Sequence, residues 1–177
     1  MPATLLAPLC ALLYLAATGA QLLHIAQRGP SLGRGVLLIG IVALVLHGVI
    51  AWDSTLGTDG VNLGFFKISA LMFLVINLAS LGSLARRPLQ NLLVLLFPLS
   101  ALSVLVSTFA PDTAALQQDL PGGMLLHIGS SILAYAVLTI AAAQSALLAL
   151  QDYQLKHHHT RGIVQILPPL QLMETML

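Results

Sequence analysis

Residues 121–152 read PGGMLLHIGSSILAYAVLTIAAAQSALLALQD. A Pro-Gly-Gly breaker opens the stretch, and between Met124 and Leu150 there is no Asp, Glu, Lys or Arg. A helix needs roughly 20 apolar residues to cross about 30 Å of hydrocarbon, so this run predicts a membrane-spanning helix. Its polar groups are ordered. His127, Ser131, Tyr135 and Thr139 recur at four-residue spacing, and Ala142 and Ser145 continue the line in steps of three. Such positions share one helix face. A lipid-facing surface has no use for a polar stripe, so the spacing predicts that this face looks into a bundle of other helices. His127, one turn below the membrane surface, is the first candidate for chemistry.

The rest of the chain has the same character. Its 177 residues are 58% hydrophobic and 7% charged, with a mean hydropathy of +0.94, whereas soluble domains carry roughly 25% charged residues. The fold class is therefore all-α, a polytopic integral membrane helix bundle forming a single membrane domain over residues 1–177. Apolar run length predicts five spanning helices, near residues 4–26, 35–52, 63–85, 89–110 and 124–150. Helices are expected because open strands would leave backbone groups unsatisfied in lipid. The N-terminus lacks the positive region of a secretory signal and reads as a retained helix. The net charge of +1 says nothing about nucleic acid, and the lack of any basic run of the kind that binds it argues against nucleic acid as a partner. The single cysteine, Cys10, can form neither an internal disulfide nor a metal cluster and reads as a packed thiol. There is no Walker loop, GxSxG, CxxC, CxxCH or HExxH, and no helix carries a pair of carboxylates. These absences argue against an enzyme and against an ion pump.

The connections set an orientation. Arg28 and Arg34 lie between the first two helices, Arg86 and Arg87 between the third and fourth, and Lys156 and Arg161 after the fifth. The alternate loops hold Asp53, Asp59, Asp112 and Asp119 and no Lys or Arg. Positive loops stay cytoplasmic, which predicts an extracytoplasmic N-terminus and a cytoplasmic segment 151–162. Inward faces are expected at Cys10, Tyr14, Thr18 and Gln21, at Gly40, Ala43, His47 and Ala51, and at Ser100, Ser103 and Ser107 beside a kink at Pro98. Ile163–Leu177 is mildly amphipathic and broken by Pro168 and Pro169. It reads as an interfacial segment or the lead-in to a further helix within the C-terminal stretch 151–177. The chain stops without a terminal signature, so a C-terminally truncated protein is expected.

His47 and His127 are predicted at similar depth near the extracytoplasmic face. Two imidazoles there could supply axial ligands to one haem iron or two ligands to another metal, whereas the plainer role is a bond to a backbone carbonyl or water. Lys67, one turn inside the third helix, either snorkels to the headgroups or pairs with an anionic group beside the histidines. Tyr135 belongs to the polar stripe of His127. Trp52 reads as an interface anchor. His24 reads as interfacial, and His157, His158 and His159 as part of a solvated loop.

The stretches LLHIGSSILAYAVLTIAAAQSALLALQDYQLK and LPPLQLMETML, with GVNLGFFKISAL and RRPLQNLLVLLFPLSAL before them, resemble the cytochrome c assembly protein family. These are CcsA/HemX-like haem-handling membrane proteins, and the likeness is to the shorter HemX- and YpjD-like bacterial inner-membrane subgroup. It covers the chain from about Val61 onward. The resemblance implies haem binding and delivery during cytochrome c maturation, with haem as cofactor. It also implies the lipid bilayer, haem and other cytochrome c biogenesis or haem-biosynthesis proteins as partners. His127 falls on the histidine that opens this helix in the family, whereas His47 has no clear counterpart. The tryptophan-rich segment of the true assembly factors, and their second external histidine, would lie beyond Leu177. A membrane scaffold or regulator that binds no haem is the alternative, and a small-solute transporter a third reading.

Overall fold

A computed structural model describes residues 3–28, 33–57, 60–83, 90–111, 114 and 116–156. In chain order the elements are α1 (Ala3–Arg28), α2 (Arg34–Thr55), β1 (Leu56–Gly57), β2 (Gly60–Asn62), α3 (Phe65–Ser83), α4 (Gln90–Phe109), β3 (Leu116–Gln117) and α5 (Gly122–Lys156). Among the described residues five helices are long and apolar enough to cross a membrane, as composition predicts. Helix α2 runs on to Thr55, about one turn further than its apolar run suggests. The segment after Lys156, with His157, His158, His159 and the amphipathic stretch, lies outside the described residues.

Local chemistry sets the helix starts. The amide of Leu37 donates to the Gly33 carbonyl at 3.0 Å to begin α2. Asn62 Oδ1 accepts from the Gly64 amide at 2.9 Å, a side-chain turn that ends β2 and leads into α3. The Pro121 carbonyl takes the amides of Met124 and Leu125 at 2.9 and 3.2 Å. The Pro-Gly-Gly breaker thus launches α5, because proline needs no donor of its own at a helix entrance.

Helices α1 to α4 close into a ring in which α1 touches α2 and α4, and α3 touches α2 and α4. One core lies among α1, α2 and α4, with Cys10, Tyr14, Ala43, Ile50, Phe97 and Val104 among its buried members. Gly40 lets α2 approach α4 closely, since a Cβ there would come within 2.9 Å of the Phe97 ring. The second core joins α3, α4 and α5 through Ile76, Leu92, Leu96 and Ala136. Helix α5 stands outside the ring, packed on α3.

The loops after α2 and α4 meet at one end of the bundle. Strand β2 pairs antiparallel with β1, through Leu56 opposite Val61, and with β3, through Val61 opposite Gln117. This small sheet was not foreseen from the sequence. Trp52, Phe65 and Phe109 are exposed at the same end, the position of aromatic side chains at a membrane interface.

Candidate functional site

The inward faces expected on α1, α2 and α4 are buried. Cys10, Tyr14, Thr18, Gln21, Gly40, Ala43, His47, Ala51, Ser100, Ser103 and Ser107 all lie inside the ring. His47 is 0% exposed, and its Nδ1 lies 3.1 Å from the Tyr14 hydroxyl. Tyr14 in turn packs on Phe97, with ring centroids 5.2 Å apart. Nε2 of His47 has no hydrogen-bond partner among the described residues. One imidazole therefore joins α2 to α1 through Tyr14.

The prediction for α5 needs correction. Its packed face is Ile128, Ile132, Ala136, Ile140, Ala143 and Leu147, not the stripe of His127, Ser131, Tyr135 and Thr139. The two sets differ by one residue, which turns the helix by about 100°. His127 is exposed, Tyr135 is 62% exposed, and neither has a hydrogen bond from its side chain among the described residues. The stripe therefore flanks the contact with α3 and is not covered by the other four helices. The physical reason is that the contact is made by aliphatic and small side chains, which membrane helices use for close packing.

The two histidines lie at different distances from the ends of their helices. His127 is five residues from the start of α5 at Gly122, and His47 is eight residues from the end of α2 at Thr55. At 1.5 Å per residue, His47 lies about 4 to 5 Å further from its helix end. Between them is an apolar crevice of about 220 Å³ bounded by α2, α3 and α5. Trp52, Thr55, Leu71, Leu125, Ile128 and Ile132 contribute to its walls. Immediate neighbours of both histidines, Gly48 and Ile128, line it, but neither imidazole does. Thr55, 4% exposed, carries a hydroxyl at this wall with no partner among the described residues.

Lys67 is engaged elsewhere. Its Nζ donates to the carbonyl of Ser107 at 2.5 Å, one of the last four carbonyls of α4, which have no partner within the helix. A cation there also suits the negative end of the helix dipole. The adjoining cavity of about 130 Å³ is lined by Lys67, Ser107, Phe66 and Pro111 among others, and by no histidine. His24 is half-buried, its ring against Gly33 at the start of α2.

Sequence reasoning passed over Asn77 and Ser80, both buried on α3. Asn77 Nδ2 donates to the Phe73 carbonyl and to the Ser100 hydroxyl, joining α3 to α4. The signal was present, since an asparagine and a serine three residues apart stand out in an otherwise apolar run (INLAS). Among the described residues, no group of three or more His, Cys, Asp or Glu is placed to hold a metal ion.

Comparison with known proteins adds the family context. Residues 36–177 match the family described as Cytochrome C assembly protein. The inner membrane protein YpjD of Escherichia coli K12 is 31% identical over 173 residues, covering 94% of this chain and 65% of its own length. The same protein from the O6:H1 and O157:H7 strains aligns with the same figures. The chain thus spans about 65% of the length of these curated relatives. No solved structure matches.

Proposed function

The chain belongs to the cytochrome c assembly protein family, and on that premise we propose that it holds haem at the extracytoplasmic face of the bacterial inner membrane for cytochrome c maturation. The alternation of basic and acidic loops gives the orientation, with the N-terminus outside. The pairing of β2 with both β1 and β3 supports it, because it sets the two acidic loops at one end.

The observation that carries the reading is the state of His127. Its imidazole is exposed near the start of α5, without a bond to another group among the described residues, beside an apolar crevice. Among the described residues no group of three metal-binding side chains surrounds it, and a lone imidazole suits a metal that arrives with its other ligands in place. Haem iron supplies that chemistry, taking an imidazole nitrogen as an axial ligand. The crevice of about 220 Å³ is smaller than the roughly 300–1,000 Å³ of sites that engulf a ligand. It fits an edge of a flat macrocycle, a geometry suited to presentation rather than storage. Tyr135 continues the same strip of α5. Lys67 retains donors beyond the one given to Ser107 and offers a cation to carboxylates near that end. His47 can act as a second ligand only if α3 withdraws from it, because its ring is wholly buried and held by Tyr14.

The test is the visible absorption spectrum of the protein purified in mild detergent from haem-replete cells, beside its His127→Ala variant. The expected outcome is a Soret band that weakens or shifts in the variant. A haem-free protein, or a spectrum indifferent to the substitution, overturns the site. A second reading, a scaffold that binds partners and no haem, is favoured by one observation. Tyr135 lies exposed well within a long spanning helix, where a hydroxyl facing lipid is unfavourable. Partner capture that survives both His127→Ala and haem depletion would support it.

A further inference from the structure

Asp53 carries its charge at the unfavourable end of a helix. It stands in the last turn of α2, where the helix dipole presents its negative end. A carboxylate there calls for a basic neighbour, yet that turn holds none. Among the described residues no cation pairs with it. Lys67, at the same end of the bundle, donates to the Ser107 carbonyl instead.

The carboxylate stands at one end of a groove of about 540 Å³ between the start of α1 and the last turns of α2. That volume falls within the roughly 300–1,000 Å³ of ligand sites. Ala3 and Leu6 form one wall, and Val45, Val49, Trp52 and Asp53 belong to the other. Apart from Asp53 and the Trp52 indole, the lining carries no polar side chain. Val45 precedes Asp53 by eight residues, which sets it about 12 Å deeper along the helix. The groove therefore has one charge near the helix ends and an apolar floor running into the span. Val45, Val49 and Trp52 are exposed along it, so the other described helices leave it open.

We propose that this groove seats a bilayer phospholipid with a primary ammonium headgroup, of the phosphatidylethanolamine class. The ammonium meets Asp53, and one acyl chain follows Val49 and Val45 toward the middle of the bilayer. A primary ammonium suits the carboxylate because it gives charge-assisted hydrogen bonds. A free metal ion does not fit, since no second metal-binding side chain lines the groove. A quaternary ammonium calls for an aromatic cage, and Trp52 is the single tryptophan of the chain. Neither His127 nor Lys67 lines the groove, so the inference does not rest on the haem reading.

Trp52 is a built-in reporter, because its indole forms part of the wall. The full chain is reconstituted in phosphatidylcholine vesicles. Lipids with brominated acyl chains, which quench indole emission on contact, are then added in rising fraction. Phosphatidylethanolamine, phosphatidylglycerol and phosphatidylcholine with the same brominated chains are compared. In the wild type, phosphatidylethanolamine is expected to quench at a mole fraction about two- to fivefold lower than the other two, the range of an ion pair at a protein surface. Asp53→Asn should erase that preference and leave quenching by phosphatidylcholine unchanged. Trp52 also borders the crevice between α2 and α5, but Asp53 does not, so loss of the preference in Asp53→Asn assigns it to the groove. Equal quenching by the three lipids in the wild type overturns the proposal, since the carboxylate is then met from within the protein. A preference that survives Asp53→Asn overturns it as well. Phosphatidylcholine quenching as strongly as phosphatidylethanolamine overturns the primary ammonium assignment.

Discussion

Tyr14→Phe removes one oxygen from the middle of the bundle and leaves everything else in place. The side chain is 0% exposed, so no water replaces the hydroxyl 3.1 Å from His47 Nδ1. The ring keeps its contact with Phe97 at 5.2 Å, so no cavity term enters. Leaving a buried acceptor unpaired costs about 1–3 kcal/mol in soluble proteins. Hydrogen bonds between membrane helices measured by double-mutant cycles average about 0.6 and reach about 1.7 kcal/mol. The two ranges overlap near 1 kcal/mol, roughly a fivefold change in the folding equilibrium. For scale, Phe97→Ala at the same level should cost about 3–5 kcal/mol, because it empties a packed ring. The assay is reversible unfolding in mixed micelles as the fraction of SDS rises, followed by circular dichroism. Tyr135→Phe is the control, since its hydroxyl is exposed and surface changes usually stay within about 0.5 kcal/mol. A cycle with His47→Leu isolates the pair and should return a coupling of about 0.6–1.7 kcal/mol. If Tyr14→Phe is as neutral as Tyr135→Phe, or the cycle shows no coupling, the Tyr14–His47 pair does not hold α1 to α2.

Two further outcomes follow from glycine positions. Gly40→Ala and Gly19→Ala should move stability in opposite directions in the same unfolding assay. An alanine Cβ at 40 meets the Phe97 ring at 2.9 Å, while at 19 it meets nothing within 4 Å. Overpacking of about 1–3 kcal/mol outweighs the helix gain of about 0.5–1 kcal/mol at the first site, whereas only the gain applies at the second. Gly60→Ala should loosen the small sheet, because its φ is +132° and the new Cβ would lie 2.9 Å from the Gln117 carbonyl. Strain of about 1–3 kcal/mol predicts faster hydrogen exchange at Val61 and Gln117, and unchanged protection in that sheet would count against the pairing.

The number of spans, their approximate limits and the buried faces of α1, α2 and α4 were legible from composition and spacing. A charge-poor run of sufficient length has no alternative in lipid but a helix. Polar and small residues at helical spacing in such a run mark where another helix must come. That logic located Tyr14, His47 and Ser100 correctly. It also identified His127, Tyr135 and Lys67 as unusual residues, but it could not say what each one faces.

Tertiary structure decided the partners. Tyr14 and His47 are 33 residues apart in sequence, and Asn77 and Ser100 are 23 apart, so no local pattern announces either pair. Lys67 reaches the end of α4 across 40 residues of chain. The face of α5 was misassigned for a related reason. Ile128, Ile132 and Ala136 pack on α3, while Leu126, Leu133 and Val137 lie exposed, and the two sets have the same chemistry. In water, burial would separate them, because apolar surface is driven inside. In a bilayer both environments are apolar, helix association rests on shape and a few hydrogen bonds, and only the packed structure shows which aliphatic face has a neighbour.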